Sequence, residues 1–109
     1  MNPKIITLMQ FARKAGKLVS GFDACERSLN KKNIALVILA EDSSERTKEK
    51  IKKYAETTGN RNKIIETGNQ IEISAALGLP LTGVFGITDK SFAGKIMEYW
   101  LSETERRKH

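Results

Sequence analysis

Val19–Asp42 reads VSGFDACERSLNKKNIALVILAED, and its second half decides the fold. Ile34 to Ala40 is an unbroken apolar run rich in Ile, Leu and Val. Such a run between polar turns fits a strand buried on both faces, since a half-exposed strand would alternate. Helices must then cover both faces. The first half supplies one of them. Phe22, Cys25 and Leu29 fall at i, i+3 and i+7, a core-facing stripe on which Cys25 is a packed apolar residue. Asp23, Arg27 and Lys31 fall at i, i+4 and i+8 on another face, where a ladder of solvated ion pairs is the ordinary expectation. Ser20 and Asp23 have the spacing of a capping box at the helix start.

Outward from this stretch, helices and strands alternate. Asn2 can cap a first helix with Pro3 in its first turn and Ile5, Leu8, Met9 and Ala12 facing inward, ending at Gly16. Arg13, Lys14 and Lys17 cluster at its end, where cations complement the helix dipole. Lys14 and Lys17 are also candidates for phosphate contacts. Leu18 and Val19 suit a short strand. After the central strand, Asp42 and Glu45 have capping-box spacing. The helix that follows runs to about Thr58, with Ile51, Tyr54 and Ala55 inward and Lys48, Lys50, Lys52 and Lys53 on a solvated face, and Gly59-Asn60 closes it. KIIET from Lys63 to Thr67 reads as a strand, and Asn69 with Glu72 as a cap for a short helix ending at Gly78. Leu79-Pro80-Leu81 is an apolar loop, TGVFGIT from Thr82 to Thr88 a strand, and Asp89 the cap of a last helix with Phe92, Ile96, Tyr99 and Trp100 inward. Arg106, Arg107 and Lys108 form a basic tail. The expectation is one α/β domain over residues 1–109: a three-layer alpha/beta/alpha sandwich around a small mixed sheet of about four strands.

Composition narrows the chemistry. The 109-residue chain carries a net charge of +6 with a pI near 9.6, a balance that attracts polyanions. A single cysteine excludes an internal disulfide, and the only histidine is His109, the last residue, which together argue against a Cys/His zinc site and against histidine-based catalysis. No signal peptide or membrane-length apolar run is present, and a cytoplasmic monomer needing neither cofactor nor metal is expected.

The ordered set of Gly21 opening a helix, IALVILAED at Ile34–Asp42, TGNQIEISAALG at Thr67–Gly78 and GVFGITD at Gly83–Asp89 resembles the kink-turn RNA-binding ribosomal protein superfamily, the L-seven-Ae and L-thirty-e group, in its small bacterial YlxQ-like branch. The resemblance implies the same sandwich and a structured RNA partner, ribosomal RNA among the candidates. It also implies a surface joining the start of the second helix, Gly21 to Arg27, to the loop Gly78 to Thr82. On that reading Gly21 admits RNA backbone, Phe22 flanks it, Asp23 and Arg27 contact bases, Lys14, Lys17 and Lys31 contact phosphates, and Leu79, Pro80 and Leu81 pack on an unstacked base. Asp23 stands where RNA-binding members usually carry Asn, Ala24 where they carry Glu, and Ser74 where a glycine is frequent. Asp only accepts hydrogen bonds, so it cannot donate to guanine O6.

Two rival readings remain at this level. One is a protein-interaction module that kept the fold and lost the RNA site, which Asp23 and Ala24 favour. The other is an enzyme on phosphorylated substrates using Glu41 and Asp42, though no glycine-rich phosphate loop or nucleophile elbow accompanies them.

Overall fold

The computed structural model describes residues 1–59 and 63–107, so Asn60 of the expected turn and Lys108 of the expected tail lie outside the described residues. Helix α1 spans Pro3–Lys14, strand β1 Leu18–Ser20, α2 Phe22–Asn30, β2 Leu36–Leu39, α3 Glu45–Thr57, β3 Ile64–Glu66, α4 Gln70–Leu77, β4 Val84–Ile87 and α5 Lys90–Arg107. The strands form one mixed sheet in the order β1-β4-β2-β3. β4 runs antiparallel to β1 and β2, and β3 parallel to β2. The apolar run therefore lies inside the sheet, and all four β2 residues are buried.

Alternation along the strands sorts the core into two layers. Leu36, Ile38, Phe85, Ile87 and Ile65 face Ile5, Met9, Ile73, Leu77 and Ile96 of α1, α4 and α5. Val37, Leu39 and Val84 face Cys25, Leu29, Ile51 and Ala55 of α2 and α3. This is the expected sandwich. Gly86 lets the backbone approach: a Cβ there would meet Ile34 Cδ1 and lie 2.9 Å from Val19 Cγ2. Among the described residues no helix is long and apolar enough to cross a membrane.

The register defines two ends of the sheet. Leu18, Ile87 and Leu36 share one row, beside which Lys63 accepts from Val37 N–H at 2.7 Å. Ser20, Phe85, Ile38 and Ile65 share a row nearer the other end. β1 runs from the first end to the second, and α2 runs back. α3 descends from the second end, and α5 starts at the first.

Two local expectations are corrected. α3 is capped by Ser44, whose hydroxyl accepts from Thr47 N–H at 3.1 Å, and not by Asp42. The Asp42 carboxylate instead accepts from Gln70 N–H at 2.9 Å, tying the turn after β2 to the start of α4. Lys48 does not belong to the solvated face. It is 8% exposed, donates to Glu41 C=O at 2.7 Å and pairs with Glu66 at 3.0 Å. Lys52 pairs with the other Glu66 oxygen at 3.0 Å. These bonds raise the Lys48 pKa, and the two ammonium groups hold the Glu66 carboxyl below its ordinary value.

Candidate nucleic-acid interface

The start of α2 differs from every other helix start among the described residues. Asn2 caps α1, Ser44 caps α3 and Asn69 caps α4, each through a side-chain oxygen. Asp89 accepts from Phe92 N–H at 2.9 Å at the start of α5. At α2 the N-cap is Gly21, with no side-chain cap. The Ser20–Asp23 capping box does not form, because Ser20 is drawn into β1 opposite Phe85. Gly21 N–H donates to Val84 C=O at 2.9 Å, and its carbonyl accepts from Cys25 N–H at 3.1 Å. The N–H groups of Phe22, Asp23 and Ala24 have no acceptor among the described residues. Three open amides at the positive end of a helix form a cradle for an anionic oxygen.

Gly21 adopts φ 90° and ψ 157°, a region that is nearly glycine-only. Nothing lies within 4 Å of the position its Cβ would take, so the backbone is open to an approaching ligand. Phe22 is half-buried, and Asp23 and Arg27 are exposed. Neither charged side chain is ion-paired among the described residues, so the Asp23–Arg27–Lys31 ladder is not formed. Phe22 also walls a groove of about 570 Å³ between α2 and α3, completed by Glu26, Asn30, Lys50, Lys53, Tyr54 and Thr57. Lys50 Nζ stands 5.8 Å from the Phe22 ring centroid. Sequence reading left Lys50 and Tyr54 on separate faces of α3, because only the docking of α3 against α2 shows that they meet Phe22.

The second part of the ledge is the loop entering β4. Leu79 is half-buried against the core, Pro80 is exposed and Leu81 is 66% exposed. Pro80 and Leu81 thus present an open apolar surface. Ser74 fixes the loop. Its buried hydroxyl donates to Thr82 C=O at 3.1 Å and accepts from Thr82 N–H at 3.0 Å, and its carbonyl accepts from Leu79 N–H at 2.9 Å. The Gly21–Val84 bond places the α2 start two residues from Thr82.

Gly21, Phe22, Asp23 and the 79–82 loop therefore share one end of the sheet, with Arg27 about 9 Å along α2. Lys14, Lys17 and Lys31 do not join them. Lys17 C=O accepts from Thr88 N–H at the opposite end, and the extended chain from Lys17 to Gly21 spans about 13 Å. Lys14 ends α1 and Lys31 caps the far end of α2. Carboxylates cluster instead at the ledge end, where Glu41 and Asp42 follow β2 and Glu72 lies in the first turn of α4. Among the described residues no set of three or more His, Cys, Asp or Glu side chains is placed to hold a metal ion.

Comparison with known proteins agrees with this architecture. A solved protein of unknown function from Bacillus halodurans superposes with a TM-score of 0.79 over 89% of this chain and 96% of its own, at 23% identity, a likeness of fold. A protein named RNA-binding protein YlxQ, from Enterococcus faecium, is 34% identical over 98 residues, covering 87% of this chain and 89% of its own length. The model of the ribosomal protein L7Ae/L30e/S12e/Gadd45 family matches residues 4–96. With the family model matching most of the chain and the Enterococcus faecium relative 34% identical over 87% of it, the chain belongs to the ribosomal protein L7Ae/L30e/S12e/Gadd45 family.

Proposed function

We propose that this chain is a non-enzymatic, cytoplasmic RNA-binding protein that seats a structured RNA, a sharply bent internal loop of the kink-turn type, on the ledge formed by the start of α2 and the 79–82 loop. Ribosomal RNA is the candidate source of that loop. The observation that carries the reading is the uncapped start of α2. Side chains complete the other four helix starts, and here three amides are left for a ligand oxygen. Family membership and the name of the Enterococcus faecium relative support RNA as that ligand.

In this arrangement an RNA phosphate meets the amides of Phe22–Ala24, and Gly21 gives the sugar-phosphate chain room. The exposed Arg27 guanidinium offers two parallel donors to guanine O6 and N7. The Asp23 carboxylate accepts from guanine N1–H or N2–H, which Asn in its place would not do as an anion. Leu81 supplies an apolar surface for a splayed base.

Crosslinking the protein to total cellular RNA and sequencing the captured fragments tests the proposal. Enrichment of bent internal loops with tandem G·A pairs is the expected result. Recovery of no RNA above background would favour a protein-interaction module instead.

A further inference from the structure

The end of the sheet opposite the ledge gathers Lys14, Lys17, Lys31, Lys32, Lys63 and Lys90, all exposed. They arrive from separate elements: the end of α1, the entry to β1, the end of α2, the entry to β3 and the start of α5. Bonds at the end of the sheet hold these elements together. Thr88 N–H donates to Lys17 C=O at 2.9 Å, Ala35 N–H to Ile87 C=O at 2.7 Å, and Val37 N–H to Lys63 C=O at 2.7 Å. None of the six ammonium groups has an ion pair or hydrogen bond among the described residues. Asp89 lies among them with its carboxylate capping α5, and Glu56 in the last turn of α3 lies beside Ile64.

Helix dipoles account for only part of the set. Lys14 and Lys31 lie at helix C-termini, where a cation is favourable. Lys90 is the first residue of α5, at the positive end of its dipole, where a cation is unfavourable. Lys63 precedes a strand and belongs to no helix. Lys32 is held at φ 57°, the left-handed position after a helix that glycine normally fills, and it is the only non-glycine residue at positive φ among the described residues. A lysine kept at a strained position, beside others the local dipoles do not call for, points to a ligand that needs the charge.

We propose that this end of the sheet is a second RNA contact, separate from the ledge, which takes the phosphates of helical RNA without reading sequence. The choice of RNA as the polyanion rests on the function proposed above. The chemistry is mainly that of point charges: six lysines against one exposed arginine, Arg13, at the end of α1, where the 54% exposed Phe11 lies one turn before Lys14. Lys17 and Lys63 flank opposite edges of the sheet about 14 Å apart, wide enough to face phosphates on more than one turn of backbone. A protein so built holds a bent loop at one end and a second helical segment at the other.

Binding of two probes, a short-armed kink-turn RNA and a plain RNA duplex of roughly two turns, tests this across a salt series. The test variant is K17A/K31A/K32G, and K4A/K95A/R106A removes the same charge elsewhere. Lys32→Gly relieves the positive-φ strain, so loss of binding in that background is not loss of fold. The expected result is at least about a tenfold loss of duplex affinity in the test variant. Its log–log salt slope should flatten by roughly 2 to 3, about 0.9 for each lost phosphate contact. The control should change by less than about threefold, and both variants should keep the kink-turn RNA. Equal loss in test and control variants, or capture by phosphatidylserine vesicles with no duplex binding, would overturn the second contact and leave the ledge untouched. A wild type that ignores kink-turn RNA yet holds the duplex through these lysines would sustain the second contact and defeat the ledge.

Discussion

Ser74 and Thr82 exchange two hydrogen bonds through one hydroxyl, which accepts from the Thr82 amide and donates to the Thr82 carbonyl. The seven residues between them are thereby closed into a loop that presents Leu81 just before the closing bonds. The Ser74 side chain is buried, so replacing it with alanine leaves both Thr82 groups without a partner in a place water reaches poorly. Ser74→Ala should cost about 1–3 kcal/mol in stability. A urea titration measures the loss, and amide exchange should quicken at Thr82 specifically.

Gly21 is the converse case, a residue whose surroundings are empty but whose backbone is demanding. Gly21→Ala meets no clash, yet a side chain at φ 90° is strained by roughly 1–3 kcal/mol. The variant should melt earlier and lose RNA affinity in proportion to the new methyl on the open face. A D-alanine at this position, introduced by chemical synthesis, should restore the melting temperature.

Acid should act on the protein through Glu66. Hydrogen bonds from Lys48 and then Lys52 lower its pKa in the folded state. A depressed carboxyl contributes stability that is present above its unfolded value and lost as pH falls through the folded one. Stability should therefore decline below about pH 4.5, the ordinary glutamate value. In Lys48→Met the Glu66 carboxyl retains only Lys52, and the acid limb of the stability curve should move to higher pH. Stability measured by urea from pH 3 to pH 7 in both proteins decides it.

Cys25 is buried, and burial pushes its thiol up to about 12. The native protein should thus be inert to a thiol-specific disulfide reagent at pH 8, reacting only as fast as it unfolds. Fast labelling of folded protein would mean that α2 opens locally away from the sheet.

What could be read from the residues in advance follows a physical boundary. The apolar run at Ile34–Ala40 and the Asn69–Glu72 cap are local patterns, and both are realised. The cap of α2 was misread because Ser20 has the right spacing but pairs with a strand 65 residues away in sequence. Burial of Lys48 was invisible for the same reason, since Glu66 reaches it only once β3 lies beside β2. The candidate site divided along the same boundary. Gly21 and the 79–82 loop do lie at one end of the sheet, whereas only three residues separate Lys17 from Gly21 in sequence and conceal that an extended strand carries them to opposite ends.

The central claim is that Arg27 and the open α2 start read a bent RNA. Its most direct test is the affinity of wild type and Arg27→Ala for a kink-turn RNA and for the same RNA with its G·A pairs replaced by Watson–Crick pairs. The account predicts that wild type prefers the bent loop and that Arg27→Ala loses about 1–3 kcal/mol on it, with little change on the straightened RNA. Equal binding of the two RNAs by wild type, or an Arg27→Ala protein indistinguishable from it, would contradict the account.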